Sequence, residues 1–129
     1  MTSGVQIAPG SGSWSSLSDR NRKQDFRALN GDQVLARIRT MPIEEWSYIS
    51  EGNEVRHVGP TAQDFRAAFG LGVNDRTITS VDIDGINLFA IQQLIERQEA
   101  LKAENVALRN EVNDLKARLE RLERLIDKQ

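Results

Sequence analysis

The sequence predicts an α+β fold: a small mixed globular unit followed by a long C-terminal helix that enters a parallel, trimeric coiled coil. Three observations predict it. Five heptads run unbroken from Ile91 to Ile126, with leucine at every d position. Residues 18–86 mix short alternating or β-branched stretches with short stretches of helical spacing. The chain is 39% hydrophobic and only 5% aromatic, so a lone copy would bury a small core.

Small cores are usually reinforced by disulfides, metals or partner subunits. The chain has no cysteine, which excludes disulfides and thiolate metal sites, and one histidine, His57, which argues against a histidine-based metal site. No metal or cofactor is expected. Oligomerisation is the remaining route to stability. The net charge of −2 offers no basic field for nucleic acid. No apolar run approaches the ~20 residues that cross a bilayer, so no membrane partner is expected. The N-terminus lacks the charged start and apolar stretch of a signal peptide. These features suit a protein that stays in the cytosol until lysis, or a piece of a longer chain.

Residues 1–17 carry no charge and are rich in Gly and Ser, as in a linker or the end of an extended β-structure. Within them Val5-Gln6-Ile7 reads as a short strand whose partner lies outside the chain. Residues 18–86 form the globular unit. Asp32 is placed to cap a helix carrying Val34, Leu35 and Ile38, and Met41-Pro42 ends it. Trp46-Ser47-Tyr48-Ile49 alternates like a strand; Val55–Val58 returns as its hairpin partner after a turn at Glu51–Glu54. Gly59-Pro60-Thr61 leads into a helix from Ala62 to Phe69, closed by Gly70. Thr77–Val81 is β-branched and reads as a strand, and Asp84 as the cap of the last helix.

Residues 87–129 are the clearest part. The a positions are Ile91, Gln98, Asn105, Val112, Leu119 and Ile126; the d positions are Leu94, Leu101, Leu108, Leu115 and Leu122. In a parallel coil, g residues face e residues five positions on. Glu104–Arg109, Glu111–Lys116 and Arg118–Glu123 are complementary, and only Arg97–Lys102 repels. The heptads alone leave dimer and trimer about even. The pattern around Arg118, Leu119, Leu122 and Glu123 turns the reading to a trimer, because the arginine stem covers the core while its guanidinium pairs with a neighbour's glutamate. Gln98 and Asn105 cost stability but fix register. A leucine-zipper transcription factor is excluded, since residues 80–95 hold no Lys or Arg to enter DNA.

The other dense constellation is Ser18-Asp19-Arg20-Asn21-Arg22-Lys23-Gln24-Asp25-Phe26. Taken alone, Ser18 reads as a helix cap followed by a solvated charge run, although basic residues in a first turn oppose the helix dipole. Ser18-Asp19-Arg20-Asn21-x-Lys23 resembles the processing site of the chaperone-of-endosialidase family, intramolecular chaperones at the C-termini of phage tailspikes, endosialidases and bacterial surface proteins. Arg56–Phe65, with its Gly59 and Ala62-Gln63, is similar to that family's second block. Asp82-Ile83-Asp84-Gly85-Ile86 is similar to its third. The resemblance covers residues 11–100 in order.

What the resemblance implies is autoproteolysis between Leu17 and Ser18, with Ser18 as nucleophile and Lys23 as general base. A serine hydroxyl must lose its proton to attack, and a lysine takes it only when unprotonated, well below its usual range near ~10.4. Burial, or the flanking Arg20 and Arg22, works in that direction. Ser18 lies just after the scissile bond, so proximity is covalent and no substrate pocket is needed. Residues five apart on an α-helix point ~140° from each other, so Ser18–Lys23 has to turn, with Asp19 or Asn21 helping. His57 reads either as a structural residue or as a supporter of the site, and Gln63 either as a buried amide bonded to backbone or as a donor to the tetrahedral oxygen. Trp14 and Trp46 read as packing anchors.

The implied function is a homotrimeric chaperone that folds the N-terminal fibre of its own chain and then releases itself. The domains are then 1–17 (end of the fibre or linker), 18–86 (auto-processing) and 87–129 (trimerisation helix). The setting is tail assembly in bacterial cytoplasm, or the bacterial surface. The competing reading is a non-cleaving structural trimerisation module in which Ser18 merely caps a helix. A membrane-tethered regulator released by cleavage has no membrane segment here to support it.

Overall fold

A computed structural model describes residues 4–128. The chain divides into two compact units, one up to Leu88 and one from Phe89. The mixed α+β class expected from the sequence is what the chain adopts. Two small antiparallel hairpins and two short helices precede a third, very long helix.

The first hairpin joins β1 (Val5–Gln6) to β2 (Ser15–Ser16), paired Val5 to Ser16 and Gln6 to Ser15. The partner of the Val5 strand therefore lies within the chain, not outside it. Ala8-Pro9-Gly10-Ser11 turns the chain. Proline presets the first corner and Gly10, at φ 79°, takes the second, while the Ser11 N–H donates to the Ala8 carbonyl at 2.9 Å.

Helix α1 (Gly31–Thr40) begins at Asn30, whose side chain accepts from the Gln33 N–H at 2.9 Å. Asn30 is thus the cap, and Asp32 sits in the first turn, where its charge favours the helix dipole. Helix α2 (Ala62–Phe69) has the bounds that its caps predict. Thr61 accepts from the Asp64 N–H at 3.2 Å, and Gly70 closes the helix left-handed at φ 66°. Helices α1 and α2 pack together, and among the described residues of this unit Val34, Phe65 and Ile86 are the buried apolar ones.

Between the helices lies the second hairpin, β3 (Glu44–Trp46) with β4 (His57–Gly59). Both strands sit about two residues away from the alternating stretches. The connection from Ser47 to Arg56 is held by side chains instead of a ladder. Arg56 donates to the Glu45 carbonyl at 3.0 Å and to the Glu45 carboxylate at 3.1 Å, and Ser47 Oγ donates to the Val55 carbonyl at 2.6 Å.

The expected strand at Thr77–Val81 is absent. Asn74 Oδ1 gathers the Arg76 and Thr77 N–H groups into a turn, and helix α3 (Ser80–Ile126) starts at once. Thr79 is placed as its cap: its Oγ1 accepts from the Asp82 N–H at 3.3 Å and donates to the Asp82 carboxylate at 2.6 Å. Asp84 is consequently inside the helix. In the second unit the helix continues without interruption, and its a and d residues stand open. Leu94, Leu101, Leu108, Leu115, Leu119 and Leu122 are each at least half exposed.

Candidate active site

Ser18 follows β2 directly, and the Leu17 N–H donates to the Gly4 carbonyl at 2.8 Å. The acyl side of the Leu17–Ser18 bond therefore ends a hairpin. Downstream the chain makes a 3-10 turn, Arg20–Arg22. Asp19 caps it, accepting from the Asn21 N–H at 2.9 Å and from the Asn21 side-chain amide at 3.2 Å. The Arg22 and Lys23 N–H groups then close on the Asp19 and Arg20 carbonyls at 3.0 and 3.2 Å. The turn is short: Asp19 (φ −65°, ψ 126°) and Lys23 (φ −118°, ψ 150°) are both extended, so the chain leaves the helical path on either side of it.

The result is a direct contact. Lys23 Nζ lies 2.6 Å from Ser18 Oγ and donates to it. The five-residue spacing that an α-helix would splay apart is resolved by the capped turn. Two further contacts follow that turn. The Arg20 guanidinium lies 4.6 Å from the centre of the Phe26 ring, within cation–π range. Asp25 has φ 55°, a left-handed conformation rare for a residue with a side chain. Neither feature has a signal in residue type, since Asp is only modestly favoured in that region and Phe26 lies in no periodic stretch.

Ser18 and Lys23 are both exposed. Burial expected to dehydrate the lysine is therefore not supplied within one chain.

The other residues singled out from sequence lie on different elements. His57 stands on β4 between Trp46 and Tyr48, with ring centres 4.9 and 5.3 Å away, and its Nε2 is 2.8 Å from the Glu51 carboxylate. Gln63 is exposed on α2 in the single chain. Among the described residues no hydrogen bond joins either of them to Ser18 or Lys23. Trp46 packs as expected, and its indole N–H donates to the Gly59 carbonyl at 3.3 Å. Trp14 does not pack: it is 71% exposed. Gly59 itself has φ 157°, which accords with a backbone requirement for glycine.

A shallow groove of about 480 Å³ lies between the second hairpin and the start of α2, lined by Trp46, Tyr48, Pro60, Thr61, Arg76 and Ile78 among others. It contains none of the serine–lysine pair. Among the described residues no group of His, Cys, Asp and Glu is arranged to hold a metal ion, and no helix is long and apolar enough to cross a membrane.

Residues 18–73 match the family model described as chaperone of endosialidase. The sequence resemblance and the family match are one and the same family. The matched segment opens on Ser18 itself and takes in the capped turn, both short helices and the second hairpin. That family is named as a chaperone and classed among peptidases. No curated protein and no solved structure matches the chain significantly.

Proposed function

We propose that the chain is an intramolecular chaperone that trimerises, folds a fibre on its N-terminal side and cuts itself free between Leu17 and Ser18. The observation that carries this reading is the 2.6 Å contact between Lys23 Nζ and Ser18 Oγ, immediately after the bond to be cut. It is supported by the family match beginning at that serine.

The chemistry is compact. Lys23, in its neutral form, takes the hydroxyl proton as Ser18 Oγ attacks the Leu17 carbonyl carbon. Carbonyl carbon, amide nitrogen, Cα, Cβ and Oγ then form a five-membered ring. The proton passes to the Ser18 nitrogen, the C–N bond breaks, and Leu17 is left as an ester on the hydroxyl with Ser18 as a free amine. Water cleaves the ester, giving a Leu17 carboxylate and restoring the serine hydroxyl. No external nucleophile competes in the first step because the attacking group is tethered to its target.

The trimer reading rests on the second unit. Its seam of a and d residues is about half exposed in a single chain, with Leu108 at 50% and Leu122 at 57%. An amphipathic helix of this kind gains its stability from covering that stripe. Three parallel copies would hold three emerging fibre ends at high effective concentration, which answers the slow nucleation of non-local intertwined β-structure. Release would then leave the fibre kinetically trapped. The site of action is a phage tail assembling in bacterial cytoplasm, or a bacterial surface fibre.

Intact mass of the full chain tests the cleavage. Wild type should yield a fragment that begins at Ser18, while Ser18→Ala and Lys23→Ala stay whole. A wild-type chain that stays whole while forming trimers would leave only the non-cleaving trimerisation module.

A further inference from the structure

The hairpin in front of Ser18 is not needed for a serine and a lysine to meet, yet it is built with care. The Pro9-Gly10 turn and the Ser11 Oγ, which donates to the Ser13 carbonyl at 2.9 Å, fold the segment back on itself. The ladder that follows ends at the residue whose carbonyl is attacked. Leu17 donates to Gly4, and the register Val5–Ser16 and Gln6–Ser15 makes Gln6–Ser15 the next hydrogen-bonded pair. β1 and β2 pair with each other, and every residue of both strands is exposed. The ladder therefore adds nothing to the core of the unit, and what it fixes is the backbone entering the Leu17–Ser18 bond.

We propose that β1 is a built-in substrate clamp. It pairs with residues 15–17 as a protease groove pairs with an extended peptide, and holds the acyl side of the bond still while Ser18 Oγ attacks. This rests on the self-cleavage proposed above. Near-attack geometry is sensitive to such restraint, because a displacement of ~1 Å at the reacting atoms costs on the order of a hundredfold in rate. The Leu17 N–H, held on Gly4, fixes the peptide plane from which the Leu17 N–Cα bond starts, and with it the origin of the carbonyl's swing. Without β1, that plane would itself be free to turn. The clamp works through main-chain pairing, so the identity of the β1 side chains is secondary and their N–H groups are what matter.

The test compares first-order self-cleavage rates in the full chain by intact mass, with far-UV circular dichroism confirming equal helix content. Gln6→Pro removes a ladder donor and should slow cleavage at least about tenfold. Gln6→Val keeps the N–H and should cleave within about twofold of wild type. At the turn, Gly10→Val cannot readily take φ 79° and should slow cleavage, whereas Gly10→Asn tolerates it and should not. Wild-type rates for Gln6→Pro and Gly10→Val would overturn the clamp and leave the cleavage chemistry standing. Equal slowing by Gln6→Pro and Gln6→Val would overturn it too, by pointing to the side chain instead of the pairing. An uncut wild-type chain would overturn the cleavage, and the clamp with it.

Discussion

At the scale of single residues, the candidate site is an arrangement of short-range hydrogen bonds. The Asp19 carboxylate organises it from Asn21, not from either member of the pair. It holds Asn21 twice, and that cap is what turns Lys23 back to Ser18. Loss of a cap of this kind costs about 0.5–2 kcal/mol. Asp19→Ala should therefore slow self-cleavage by about tenfold, at roughly 1.4 kcal/mol per decade, whereas Asp19→Asn keeps an acceptor and should stay near wild type. A time course of intact mass reads both. Lys23→Arg should be as inert as Lys23→Ala, because a guanidinium does not give up its proton to act as a base.

The elements show where residue type is a sufficient guide and where it is not. Helix α2 was legible to its ends because both of its stops are encoded: a hydroxyl cap at Thr61 and a glycine at Gly70. Replacing Gly70 by Ala should cost about 1 kcal/mol, measured by urea denaturation, since only glycine takes φ 66° without strain. The stretch Thr77–Val81 misleads because β-branching states a preference but not a partner. Thr79 and Asp82, three residues apart, carry the helix-start signal there, and it outweighs Asp84. Asn30→Ala should likewise destabilise α1 by about 1 kcal/mol, where Asp32→Ala does less. The second hairpin was legible in existence but not in register, because Arg56 fixes its connection through contacts that no local pattern displays. At the candidate site the residues were legible through the family blocks, while the left-handed Asp25 and the Arg20–Phe26 contact depend on backbone geometry that residue type leaves open.

For the molecule as a whole, the small core and the open seam belong together. Val34, Phe65 and Ile86 are a slender interior for a unit of this size, and the larger apolar surface lies on α3. Stability should accordingly depend on protein concentration. Leu108→Ala should lower the association constant and the thermal midpoint by a core-cavity cost of about 2–5 kcal/mol for each seam covered. Sedimentation equilibrium across a concentration series checks this and counts the copies at the same time. Asn105→Leu should raise the thermal midpoint while broadening the range of assembled species.

That last substitution points to a use for one small contact. In the single helix the Asn105 amide is already occupied, donating to the Leu101 carbonyl of its own backbone at 2.9 Å. When copies meet one heptad out of step, one Asn105 is set against a neighbour's Val112 and another against Gln98, so the matched layer of asparagine amides is lost. In step, amides meet amides and can trade partners. In the proposed assembly Asn105 would thereby act as a proofreading mark, making misaligned encounters short-lived so that they come apart and try again before the proposed cut.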